Sequence, residues 1–293
     1  MITQSNSGAS HFLGVYLSDE PGGSVIDANW TGFFNHLSLS NSSIYYSHLP
    51  AINLEMNGSL PLDDYNNYEA AYHFVTAIGT GLGLNQLENR SINSFTSDYA
   101  LYWFDYEAGY DTIFTEFGSN QSATQVDQAI ALTRGAAYLQ NKTWGDIITW
   151  TYSQPPYLEN ATEMYNQLVA GYTSGAKYEV IFDYPQMTGD PYGVLNDQQF
   201  GVIEKFWNNI PTLKVHSVAE AVLVLPENYG WGMRSPQDLI WGLWKPDSTS
   251  AQIWSISQKL LDEYGLNLDI VYQNPQFPVE GKYQQIYYWN QTA

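Results

Sequence analysis

Three times in this chain a helix-length segment runs to a glycine, a short apolar strand follows, and the strand gives way to polar or acidic residues. Ser97–Gly109 precedes Asp111–Phe117 (DTIFTEF), Glu159–Gly175 precedes Tyr178–Tyr184 (YEVIFDY), and Ser250–Gly265 precedes Leu268–Tyr272 (LDIVY). Glycine just past a helix takes the left-handed conformation that ends it without a Cβ penalty. The strands are continuous apolar runs, the pattern of a parallel sheet covered on both faces.

Other segments obey the same scheme. Phe12–Ser18, Ser91–Phe95, Gly145–Thr151 and Ala219–Leu225 read as strands, and Tyr65–Thr80, Ser122–Gln140 and Asn196–Asn209 as the helices between them. Ala51–Met56 (AINLEM) supplies an eighth strand. Such alternation implies parallel strands joined by right-handed crossovers. Eight units predict an α/β chain closed into a (β/α)8 TIM barrel, a single domain over residues 1–293, with a short terminal strand near 284–289. An open doubly wound sheet is the rival architecture.

Charge narrows the partners. Thirty acidic and 10 basic residues give a net charge of −20, which repels nucleic acid and anionic membranes. Only 14% of residues are charged, against roughly 25% in most soluble domains. Tyrosine (24), tryptophan (10) and uncharged polar residues take their place, so the surface is polar with few charges. The absence of cysteine excludes disulfides and thiol nucleophiles. Five scattered histidines form no HExxH pair, and there is no GxSxG elbow or Walker loop. Gly79-Thr80-Gly81-Leu82-Gly83 follows a helix instead of a strand and reads as a helix terminator. No metal or organic cofactor is expected.

No apolar run is long enough to cross a bilayer, so membrane insertion is not expected. Asn-X-Ser/Thr occurs at Asn29, Asn41, Asn57, Asn89, Asn120, Asn141, Asn160 and Asn290, which points to a glycosylated extracellular protein. The polar opening MITQSNSGAS is not a signal peptide, so the expectation is a secreted or surface protein whose signal peptide is absent from this chain. Few charges, no cysteine and many carboxylates also suit an acidic habitat.

In a barrel of this kind the chemistry lies at the C-terminal ends of the strands. Those ends carry Asp19 and Glu20 after the first strand, Glu116 on the fourth, Trp150 and Tyr152 on the fifth, and Asp183 on the sixth. Glu227, Asn228, Tyr229 and Trp231 follow the seventh. Aromatic faces stack on the C–H faces of sugars, and carboxylates and amides bind hydroxyls. Cleaving a glycosidic bond takes two carboxyl groups, one of which stays protonated. Glu116 and Glu227 are the favoured pair, because each ends an apolar strand outside any helical charge pattern. Asp19, Glu20, Asp183 and Asn228 are expected to bind hydroxyls, and Trp150, Tyr152, Tyr229 and Trp231 to offer ring platforms. Each has a plainer alternative: a strand cap pairing with Arg134 for Glu116, a turn for Glu227, Asp19 and Glu20, and core packing for the rings. Asp105 and Glu107 fall on a helix and read as solvated.

On these residues the chain resembles retaining glycoside hydrolases of the large barrel clan with an acid/base Glu after strand four and a nucleophilic Glu after strand seven. The resemblance is architectural, spans roughly residues 12–275, and departs from the clan at Thr115, where Asn usually precedes the acid/base. It implies a carbohydrate substrate, with Glu116 as acid/base and Glu227 as nucleophile. A non-catalytic glycan-binding or structural surface protein on the same fold is the alternative.

Overall fold

The structure, a computed structural model, describes residues 12–17, 19–27, 68–69, 71–72, 75–76, 83–148, 159–182 and 195–291. Five strands pair in chain order into one parallel sheet: β1 (Val15–Tyr16), β2 (Ser94–Asp98), β3 (Thr112–Phe117), β4 (Thr143–Ile148) and β5 (Glu179–Ile181). The register runs Tyr16↔Phe95, Ser97↔Phe114, Phe114↔Gly145 and Ile148↔Ile181. Three further strands, β6 (Ala221–Leu225), β7 (Leu268–Tyr272) and β8 (Gln285–Tyr288), make a second parallel sheet with β6 at its centre. The strand expected at Ala51–Met56 lies outside the described residues.

The helices are α1 (Pro21–Ile26), α2 (Leu84–Glu88), α3 (Tyr102–Ala108), α4 (Ala123–Leu139), α5 (Ala161–Thr173), α6 (Asp197–Asn209) and α7 (Ser248–Tyr264). Their ends follow local chemistry. Ser122 with Gln125, Asn196 with Gln199 and Asp247 with Ser250 form reciprocal boxes at the starts of α4, α6 and α7. Gly109 (φ 118°) and Gly175 (φ 91°) adopt the left-handed backbone after α3 and α5, as the sequence pattern requires. Of the run Gly79–Gly83 only Gly83 is described, and it caps the start of α2 instead of ending a helix.

The sheets do not close. Among the described residues no strand pairing joins the two, so the fold is an open α/β arrangement and not the expected (β/α)8 barrel. The reason lies in α4. Its residues Ile130, Ala131, Thr133, Arg134, Gly135, Ala136 and Ala137 are all buried, so the helix is covered on most of its circumference along these two turns. It packs against β3 and β4 of the first sheet and against β7 of the second. At Gly135 the β7 chain comes so near that an added Cβ would lie 2.9 Å from Val271 Cγ1 and 3.2 Å from Ile270 O. The second sheet therefore covers a helix of the first instead of completing its ring. One core cluster holds Ile113, Ile130 and Leu168 together with Leu223 and Val271, so both sheets share it.

A buried ion pair ties this junction. Arg134 Nε donates to Asp269 Oδ1 at 2.8 Å, and the two side chains are 1% and 0% exposed. Arg134 Nη2 also donates to Leu266 O (2.8 Å) and Leu268 O (3.0 Å), and Tyr283 OH donates to Asp269 Oδ2 (2.9 Å). Burial raises the Asp269 pKa even beside the guanidinium, which marks a desolvation cost that the attraction offsets only in part. Arg134→Ala is therefore expected to destabilise the protein by about 3–5 kcal/mol, because a buried charge loses its partner. The double variant Arg134→Met/Asp269→Leu should lose less than either single change. Urea midpoints check this; a double variant weaker than both singles would show that the pair is not the coupling element.

Candidate functional site

The C-terminal edge of the first sheet gathers hydroxyls and carboxyl groups. Side chains alternate along a strand, so Phe95 and Ser97 on β2 share a face with Phe114 and Glu116 on β3. Phe95 and Phe114 stack with ring centroids 5.9 Å apart and form the floor. Above them Ser97 Oγ lies 2.7 Å from Glu116 Oε1 and 3.0 Å from Asp19 Oδ1. Tyr16 OH donates to Asp19 Oδ1 at 2.6 Å and lies 2.8 Å from Ser97 Oγ. Glu20 follows Asp19, and its amide donates to Ser97 O at 3.0 Å.

Proton counting requires one proton on the Glu116–Asp19 pair. A serine hydroxyl has one proton, so Ser97 cannot donate to both carboxylates at once. The bonds are all satisfied when one of the two carboxyl groups is protonated and donates to Ser97 Oγ, which donates to the other. Electrostatics agree. Burial pushes Glu116 up to about 9, with Glu20, Asp98 and Asp19 adding repulsion against a weaker opposing bond from Ser97.

In front of Glu116 is a cavity of about 270 Å³, lined by Tyr99, Tyr102, Gln121, Gln125 and Arg234 among others. Gln121 Oε1 is buried there without a hydrogen-bond partner among the described residues. Arg234 brings no free charge, since it pairs with Asp27 (2.8 Å) and Asp238 (3.0 Å) and lies over the Tyr99 ring. Tyr16, Phe95, Phe114, Tyr178 and Trp207 border a second, apolar hollow of about 660 Å³. Trp207 is 73% exposed and Tyr16 51%.

The residues singled out from sequence separate into groups. Glu116, Asp19 and Glu20 come together. Glu227 is exposed after β6 on the second sheet, and its charge acts on Glu107 and Tyr72. Asn228 is a turn residue with φ 58°, and its carbonyl accepts from Trp241 Nε1 at 2.8 Å. Tyr229 and Trp231 are buried in the core; Tyr229 OH donates to Asp247 (2.6 Å) and Trp231 Nε1 to Asp238 O (2.9 Å). Neither ring presents a face to a ligand. Trp150, Tyr152 and Asp183 lie outside the described residues. Arg134, a possible partner for Glu116, is committed to Asp269. Tyr16 and Ser97 were the less visible members of the site, because a hydroxyl at a strand end looks like any polar loop residue.

Asp105 and Glu107 are not solvated. Asp105 is fully buried against Asp98, and burial holds its pKa well above the ordinary range. Glu107 accepts from Trp103 Nε1 (3.0 Å) and Asn274 Nδ2 (2.7 Å), and burial raises it to about 7. A further acid pair sits under α5, where Asp146 of β4 stands opposite Glu179 of β5. Gly171 makes room for it, since a Cβ there would strike Asp146 Oδ2. Burial lifts Asp146 to about 8, and burial with the Asp146 charge beside it lifts Glu179 to about 11. Glu159 beside them is raised to about 8, again by burial.

Among the described residues no group of three or more His, Asp or Glu side chains is arranged to hold a metal ion, and no helix is long and apolar enough to cross a membrane. The chain matches no protein-family model, no curated protein and no solved structure.

The raised carboxyls set the pH dependence of stability. Unfolded, these groups ionise near pH 4; folded, they keep their protons longer, so the folded state binds more protons in between. Stability is then greatest in acid and falls as pH rises from about 4 toward the 8 of Asp146. The melting temperature at pH 5 should exceed that at pH 8, and Asp146→Asn/Glu179→Gln should flatten the difference. A melting temperature that climbs through this interval would contradict the assignment.

Proposed function

We propose that this protein is a glycoside hydrolase, with Glu116 as the proton donor and Asp19 as its ionised partner. The observation that carries the reading is the meeting of both carboxyl groups at Ser97 Oγ, at 2.7 and 3.0 Å. Two oxygens bonded to one atom can be no farther apart than the sum of those distances. That bound falls short of the about 6.5–9.5 Å of inverting enzymes and admits the about 5–5.5 Å of retaining ones. Glu116, kept neutral by burial, protonates the glycosidic oxygen as the bond breaks. Asp19, oriented by Tyr16, attacks the anomeric carbon to give a glycosyl-enzyme. Glu116, now ionised, takes a proton from the water that releases the sugar.

Chemistry also limits the substrate. Arg234 is neutralised by two aspartates, so the cavity supplies amides and hydroxyls and no uncompensated cation. A neutral glycan fits that lining, and Gln121 Oε1 accepts one of its hydroxyls. Exposed rings at Tyr16 and Trp207 supply stacking surfaces for a longer chain. The site lies where open α/β sheets take their ligands, at the C-terminal ends of parallel strands.

Release of reducing sugar from a panel of neutral polysaccharides tests the reading. Glu116→Gln and Asp19→Asn should each lower turnover by at least about 100-fold, while Glu227→Gln stays near the parent. If Glu227→Gln abolishes turnover and Asp19→Asn does not, the partner is Glu227. Tight glycan binding without any bond cleavage would make the protein a lectin.

A secreted, glycosylated protein accords with such a substrate. The described sequon residues Asn89, Asn120, Asn141, Asn160 and Asn290 are all exposed. Asn160 caps α5 through Oδ1, whereas a glycan attaches at Nδ2. Expression through a eukaryotic secretory pathway should yield a product whose mass falls on treatment with peptide N-glycosidase. An unchanged mass would mean that none of these sites is used.

A further inference from the structure

The segment Asp19-Glu20-Pro21-Gly22-Gly23 has the composition of a simple turn, yet a buried carboxylate docks it. Asp98 ends β2 with no solvent exposure. Its Oδ2 accepts from Gly22 N at 2.6 Å, and its Oδ1 accepts from Gly23 N (2.8 Å), Tyr99 N (2.7 Å) and Ala100 N (3.0 Å). Both glycines are required by contact: a Cβ at Gly22 would strike Ala100 O, and one at Gly23 the Tyr99 ring. The far end of α1 is held by the same stretch of chain. Asp27 accepts from Tyr99 OH at 2.6 Å and from Arg234 Nη1 at 2.8 Å.

Asp105 of α3 stands behind Asp98, fully buried and hydrogen-bonded to it. Two carboxyl groups form such a bond only when one carries a proton. The four amide donors make Asp98 the ionised member and Asp105 the acid. The arrangement reaches the site through a short lever. Glu20, next to Pro21, is held in the left-handed region (φ 50°, ψ 51°), which a non-glycine residue occupies only when its surroundings impose it. Docking α1 imposes it, and Asp19 and Glu20 then project beside Glu116.

We propose that Asp98, backed by Asp105, is a positioning residue: by docking the first turn of α1 it sets the carboxyl groups of Asp19 and Glu20 against Glu116. The inference deepens the reading of Glu116 and Asp19 as the reacting pair, but its test does not depend on turnover.

The test follows the Glu116 carboxyl by ¹³C NMR titration and the α1 amides by hydrogen exchange. Glu20 and Asp19 help to raise the Glu116 pKa, so moving them away lowers it. Asp98→Asn also removes a charge that Glu116 feels directly, so Gly22→Ala, which displaces α1 and leaves Asp98 intact, is the deciding variant. In both, the Glu116 midpoint should fall by about one unit. The amides of Gly22, Gly23 and Ser24 should exchange at least about tenfold faster, with β3 and α4 still protected. Asp105→Asn keeps a donor to Asp98 and should change neither readout. An unmoved Glu116 midpoint in Gly22→Ala overturns the proposal. So does an Asp105→Asn protein that behaves like Asp98→Asn, or loss of protection throughout both Asp98→Asn and Gly22→Ala. If the protein cleaves no glycan, the titration still decides whether Asp98 positions the pair; if it does, Asp98→Asn should lower kcat more than it changes KM.

Discussion

Helix α4 is buried along its middle turns. Seven of its residues between Ile130 and Ala137 are buried, two sheets lie against it, and Gly135 lets β7 approach its backbone. A helix covered in this way cannot sit on the outer wall of a ring of strands. The strands that would complete a barrel are used to cover it, and Arg134 and Asp269 close the seam. Replacing that pair by apolar groups would relieve its desolvation, so its retention is better understood as a choice of register than as a source of stability. The guanidinium finds Asp269, Leu266 O and Leu268 O together only when β7 lies in one position along the helix.

Burial of acids is the second theme. With 10 basic residues against 30 acidic ones, most carboxyl groups cannot find a cation. Several are buried beside another acid, and burial raises their pKa values, as it does for Asp105 beside Asp98 and for Glu179 beside Asp146. Glu116 belongs to the same population of raised carboxyl groups, and it borders a cavity.

The site takes its shape from strand ends. β1, β2 and β3 deliver Tyr16, Ser97 and Glu116 at one edge because each lies on the same face, two residues beyond the register partner of the one before. The loop that follows β6 brings Gly232 and Arg234 across to the same cavity. The second sheet thus contributes to the site through a loop, while its own strand end, at Glu227, looks onto a different group around Glu107.

Local chemistry made much of this legible without coordinates. Apolar runs bounded by glycine mark β3, β5 and β7, and the caps at Gly109 and Gly175 follow from the absence of a Cβ. Glu116 at the end of β3 was visible for the same reason: a carboxylate closing an apolar strand stands at a sheet edge. Parallel pairing follows from the alternation of elements, and the order of β2 to β5 from short crossovers. Which edges meet was not legible. Closing a barrel or covering a helix depends on contacts far apart in sequence, such as Gly135 with Ile270, and both outcomes use the same strand patterns. The partner of Glu116 changed for that reason: with the sheets separate, Asp19 shares Ser97 with it, and Glu227 ends a strand of the other sheet. Tyr229 and Trp231 are aromatic residues after a strand in either architecture, and only tertiary packing decided that they fill the core. Residue types and their spacing determine which elements form and where each one ends; the competition for a limited set of apolar faces determines how those elements meet.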